Sequence, residues 1–98
     1  MTSTTMKAKI VRVEVEKGKA GLLYATSPDL RGLLVAEPTL DALDISIPAA
    51  ITDLYAACGV HVVVTKVEED DHKEGVTPWV AFPAEIARRA IEAERAQG

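Results

Sequence analysis

The spacing of apolar residues changes at Pro38, and that change confines the chain to folds that lay a helix on a sheet of short strands. Ahead of it, residues 7–17 alternate. Lys9, Val11, Val13 and Val15 fall on one side, and Ala8, Ile10, Arg12 and Glu14 on the other. Period two over that length reads as a strand with one face more apolar than the other. Gly18-Lys19-Ala20-Gly21 reads as a turn whose two glycines can take positive φ. Leu22 to Thr26 is a second strand, the hairpin partner of the first. Ser27 to Gly32 is another turn, with Pro28 fixing φ and Asp29 able to bond its own backbone. Leu33 to Ala36 completes a three-stranded antiparallel meander.

Beyond Pro38 the period becomes helical. Thr39 is a good N-cap, Asp41 puts a negative charge in the first turn, and Gly59 supplies the stop. Between them Leu40, Leu43, Ile47, Ala50, Ile51 and Leu54 recur at steps of three and four, giving an amphipathic helix of about five turns. Pro48 removes the hydrogen bond to the Asp44 carbonyl and predicts a kink. Val60–Val67 is a strand by β-branched content, and its run of three valines predicts an interior position covered on both faces. Val76–Phe82 is extended, and Pro78 predicts that it lies at an edge or outside the main sheet. Pro83 opens a last helix, Ala84–Ala96, with a thin stripe of Ile86, Ala87, Ala90 and Ile91. The expected class is therefore α+β: βββαβ with one long kinked helix, then an extended segment and a helix. The expected organisation is a domain over 1–67, an acidic linker over 68–76, and a strand-helix tail over 77–98. That tail belongs to the same domain or serves dimerisation.

The charge is unevenly placed. The net charge is −4, yet residues 1–66 carry seven basic and seven acidic side chains, and residues 77–98 carry three of each. The window between them holds Glu68, Glu69, Asp70, Asp71 and Glu74 against Lys73. A neutral body without a basic face lacks what phosphate neutralisation requires, so no direct nucleic-acid binding is expected. No apolar run approaches a membrane span, and Met1 to Thr5 does not read as a signal peptide. With one cysteine, Cys58, a reducing cytoplasm is the expected compartment. Four aromatics leave the core to Val, Ile, Leu and Ala, and so small a core makes a homo-oligomer a natural supplement.

No residue pattern points to catalysis. His61 starts a strand with no second ligand nearby in sequence, and the carboxylates around His72 lack the spacing of a calcium loop. Cys58 precedes a helix stop, where a thiolate gains nothing, and reads as a small buried apolar residue. There is no nucleophile elbow and no phosphate loop. The chain is expected to be no enzyme, with no cofactor and no metal. Trp79 and Phe82 read either as a partner-binding anchor or as core. The turn Asp29, Leu30 and Arg31, together with Glu68, Glu69, Asp70, Asp71 and Trp79, makes up the candidate partner-binding set. Pro28, Asp29 and Gly32 read equally as residues that only shape their turn.

The segment from Leu23 to Val35, with Tyr24, Thr26, Asp29, Leu30 and Gly32 at its turn, resembles the HicB-like family. Glu37-Pro38-Thr39-Leu40-Asp41-Ala42-Leu43 and the run Ile47-Pro48-Ala49-Ala50-Ile51 with Leu54 extend the resemblance over residues 7 to about 67. The similarity is greatest to an uncharacterised bacterial subgroup with a proline inside the helix. It implies a partial, degraded RNase H-like fold and an antitoxin that blocks a small basic HicA-like toxin. The DNA-binding half that many such antitoxins carry needs two helices, and only one is predicted after residue 76. Two functions are thus expected: an antitoxin-type interaction module, or a stand-alone homo-oligomeric domain serving as scaffold or small-ligand binder.

Overall fold

The computed structural model describes residues 8–68 and 75–85. The alternation at the start of the chain produces β1 (Lys9–Lys17), which pairs antiparallel with β2 (Leu23–Thr26), and β2 in turn with β3 (Leu34–Glu37). The meander is as expected, but the turn after β1 is built differently. Gly18 is extended, whereas Ala20 and Gly21 take the positive φ values, 63° and 74°. Gly18 is needed for space instead, because a Cβ there would run into the Tyr24 ring.

The helix α1 (Leu40–Ala57) begins on Thr39, whose Oγ1 accepts from the Ala42 N–H at 3.1 Å. It ends in a Schellman motif, with Gly59 N–H on the Ala56 carbonyl and Val60 N–H on the Tyr55 carbonyl. Gly59 stands at φ +80°, the left-handed conformation that such an ending requires. α1 runs through Pro48 as one element, and the Thr52 hydroxyl donates to the Pro48 carbonyl at 2.7 Å. Cys58, expected to be buried, is exposed, because the C-cap position turns its side chain away from the sheet-facing stripe.

The remaining strands overturn two placements. β4 (Val62–Lys66) lies at the sheet edge, and β5 (Val76–Pro83) sits between it and β1, giving the order β3-β2-β1-β5-β4 with every pair antiparallel. The three valines of β4 report strand propensity rather than two-sided cover: Val62 is buried and Val63 is 47% exposed. Pro78 is tolerated inside the sheet because of where its nitrogen points. Its carbonyl accepts from Val67 N–H at 3.0 Å, so its nitrogen also faces Val67, one residue past the end of β4, and the bond it forgoes is the last of that ladder. On the β1 side Arg12↔Pro78 falls between hydrogen-bonded pairs, and no ladder bond is lost. The acidic window therefore joins two neighbouring strands of one sheet, and residues 76–83 belong to the same sheet as the meander. Beyond Glu85, the expected last helix lies outside the described residues.

The core lies between α1 and one sheet face. Leu43, Ile47 and Ile51 meet Val11 and Val13 of β1, Ala25 of β2, Trp79 and Ala81 of β5 and Val62 of β4. Ile51 is fully buried at the centre of this layer. Ile51→Ala is expected to cost about 2–5 kcal/mol, seen as a lower urea midpoint at unchanged slope. Ala20→Gly relieves a left-handed alanine and is expected to stabilise by about 0.5–1 kcal/mol in the same experiment.

Candidate functional site

The topology gathers acidic side chains at one end of the sheet, where α1 begins and where β4 turns into β5. Glu16 near the end of β1, Glu37 at the end of β3, Asp41 and Asp44 on the first turns of α1, and Glu68 just past β4 stand at this pole. They face Lys17, Lys19 and Lys66 as the cations of the same end. Of the acidic window, Glu68 and Gly75 stand at this end, and residues 69–74 lie outside the described residues. Glu37 is held in place by the Ser46 hydroxyl, which donates to its carboxylate at 2.6 Å and ties the end of β3 to α1.

A cleft of about 320 Å³ opens at this pole between the start of α1 and the sheet. Val15, Leu40, Leu43 and Ile47 make its apolar wall, and Asp41, Asp44, Lys66 and Thr77 its polar rim, with Trp79 contributing from β5. Leu40, the first residue of the helical stripe, is exposed here rather than packed in the core. Lys66 spans the mouth, with Nζ 3.1 Å from Asp44 Oδ1 and 6.0 Å from the centroid of the Trp79 ring. Both members of that ion pair are solvent-exposed, so it orients the two side chains more than it stabilises the fold. Trp79 is 4% exposed, and its Nε1 is buried with no hydrogen-bond partner among the described residues. A buried unpaired donor costs about 1–3 kcal/mol, a penalty set against the large apolar area the indole covers.

The turn Asp29, Leu30 and Arg31 stands apart from this pole, toward the end of the sheet where α1 finishes. β2 stops at Thr26, opposite Glu14, so the Arg12 N–H has no strand beside it. Asp29 takes that place. Its Oδ2 accepts from the Arg12 backbone N–H and from Nε, each at 2.9 Å, and its Oδ1 accepts from Nη2 at 2.8 Å. The Asp29 N–H donates in turn to Ser27 Oγ at 3.0 Å. These bonds, led by those from the Arg12 side chain, hold the Asp29 carboxyl down at about 2. Leu30 is half-buried against the core and Arg31 is exposed. Gly32, at φ +94°, lets the chain turn back beneath Leu54. The Tyr55 hydroxyl is pushed up, mainly by burial and further by the negative charge of Asp29.

The expected partner-binding set is thus divided. Glu68 and Trp79 share the acidic pole, while Asp29, Leu30 and Arg31 are at a distance from it, with Asp29 already engaged by Arg12. Glu69, Asp70 and Asp71 lie outside the described residues, as does His72. Arg12 and Lys66 were not singled out by sequence, nor were Asp41 and Asp44 as members of a site. The single signal for Arg12 was its place as a cation on the polar side of a strand. Among the described residues, no three of His, Cys, Asp and Glu group as a metal would require. No described helix is long and apolar enough to cross a membrane. Compared with known proteins, the chain matches no family model, no curated protein and no solved structure.

The Arg12–Asp29 pair has a consequence for pH. A carboxyl depressed from 3.8 to about 2 stabilises the fold above its unfolded value and loses that contribution as pH falls through its folded one. Asp29→Asn is expected to lower the urea midpoint by a constant amount from neutral pH down to about 5, with the gap to wild type closing between about 4 and 2. A gap independent of pH over that range would show that the ionised form contributes nothing.

Proposed function

We propose that this chain is a HicB-like, antitoxin-type interaction module that holds a small basic protein against its acidic pole. The observation that carries the reading is the convergence of Asp41, Asp44 and Glu68 on one end of the sheet, beside an open cleft. A surface with an excess of one sign accelerates encounter with an oppositely charged partner and disfavours partners of like charge. The cleft adds an apolar wall behind the charges, which lets a basic side chain from the partner lay its aliphatic stem on Leu40 while its head meets Asp41 or Asp44. The partner chemistry is that of a HicA-like toxin, a short basic polypeptide. The resemblance at residues 23–35 and 37–54 supports that choice, as does a partial RNase H-like reading of the meander and helix. In this role the chain contributes a surface and performs no catalysis.

The test is binding to the small basic protein encoded beside this gene, followed by isothermal titration calorimetry across salt concentrations. A complex that weakens steeply with salt is expected. The triple variant Asp41→Asn, Asp44→Asn, Glu68→Gln should weaken it at least tenfold while leaving the circular dichroism spectrum intact. Absence of a basic neighbour that binds, or binding indifferent to both salt and the triple variant, overturns the proposal.

A further inference from the structure

Strand pairing sets Lys66 against Trp79. The two are partners across β4 and β5, and partners across an antiparallel ladder share a face, here the one that α1 covers. From there the lysine side chain reaches α1, where Nζ meets Asp44 Oδ1 at 3.1 Å and stands 6.0 Å from the indole centroid. The second distance is the outer limit of a cation–π contact. The ion pair is exposed at both ends and contributes little. Lys66 is therefore held loosely. The cleft also offers a cation more than Lys66 uses. Asp41 lies three residues before Asp44, a spacing that makes two side chains neighbours on a helix surface. Among the described residues no cation pairs with Asp41. Leu40, 63% exposed, leaves an apolar wall beside both carboxylates.

We infer that the cleft grips one arginine side chain of a basic protein, and that Lys66 is the resident cation which this arginine displaces. The assignment rests on the reading of this end as the contact surface for such a protein, and it names what that surface holds. Arginine is favoured over lysine by the donor set. A planar guanidinium carries five donors in a fixed fork, enough to engage Asp41 and Asp44 together, whereas the Lys66 ammonium reaches Asp44 alone. A guanidinium is also more weakly hydrated than an ammonium, so bringing it against Leu40 costs less. Its stem lies on the apolar wall while the head stays at the rim. Size agrees: a cleft of about 320 Å³ is at the small end of ligand pockets and suits a single side chain. Exchange keeps the local charge constant, because one cation leaves for water as another arrives. Lys66 thus compensates Asp44 in the free chain and competes with the partner for it.

Trp79 is the one tryptophan of the chain, so its indole N–H gives a single NMR signal from the wall of the cleft. The experiment titrates the full chain with N-acetylarginine amide and, separately, with N-acetyllysine amide, at constant ionic strength. The arginine probe is expected to move the indole signal saturably and to bind at least threefold more tightly than the lysine probe. Asp41→Asn should abolish that preference. Lys66→Met should tighten the arginine probe at least threefold, and Lys66→Gln should do the same, so a folding defect in one variant does not decide the outcome. Lys19→Gln removes the same charge outside the cleft and should leave the affinity nearly unchanged at that ionic strength. An indole signal that stays still in the wild type and in both Lys66 variants overturns the inference. Equal tightening in Lys19→Gln, or an arginine probe no better than the lysine one, overturns it as well. The probe needs no partner protein. If the neighbouring gene product fails to bind while the probe behaves as expected, the partner reading falls and the cleft keeps its arginine. If that protein binds while the probe is silent, the cleft assignment falls alone.

Discussion

The pairing of β5 with β1 is the constraint on which the rest of this structure depends. β4 has no other attachment to the sheet, since its partner is β5 alone. Trp79, the largest side chain in the core, is carried into it by the Val11↔Trp79 pair. The same register brings Lys66 of β4 beside Trp79 and sets the floor of the cleft. Without it, α1 would lie on a three-stranded meander whose apolar face is too narrow to bury Leu43, Ile47 and Ile51 together. A pairing between the first strand and one more than sixty residues later is a non-local contact, so loop-closure entropy must be met before it stabilises anything. α1 offsets part of that cost by presenting a continuous apolar stripe on which both ends of the chain can collapse.

Much of this was legible because period is a local property. The alternation of Val11, Val13 and Val15 with Ile10, Arg12 and Glu14 fixed which side of β1 meets the helix, and the folded strand keeps that division. Thr39 and Gly59 bounded α1 to within a residue or two, because caps are chosen by the chemistry of orphan N–H and carbonyl groups. What escaped was strand order. Pro78 argued for an edge, and the argument failed because a proline costs a ladder bond only when its nitrogen faces a paired strand. Here the nitrogen faces Val67, one residue past the end of β4, so the bond forgone is the last of that ladder, which no reading of β5 alone can reveal. The same error made the three valines of β4 seem interior. β-branched residues suit a pleated, half-buried surface as well as a fully covered one.

The candidate site was legible in its charge and illegible in its geometry. The concentration of carboxylates over residues 68–74 marked a region that matters electrostatically, but not which other residues would join it. Asp41 reads in sequence as a helix-dipole partner, and Asp44 carries no signal of a site. They became part of the pole because α1 begins at the end of the sheet where β4 stops and β5 starts. Asp29 shows the reverse case. Its turn is the most distinctive piece of the chain, yet its carboxylate serves as a substitute strand for the Arg12 N–H where β2 ends. A side chain that satisfies a backbone donor and a guanidinium at once is committed to the fold.

Among the described residues the domain has two layers, with α1 on one face of the sheet, so the other face is left to account for. Ile10, Leu34 and Val63 are exposed there, whereas Leu40 and Ile45 are exposed on α1 and carboxylates gather at the end of the sheet where α1 begins. A contact driven by charge is long-ranged and salt-sensitive, whereas one driven by apolar burial is short-ranged and strengthened by excluded cosolvents. Contacts at the carboxylate-rich end and on the sheet face therefore respond to different conditions, and their salt dependence tells them apart.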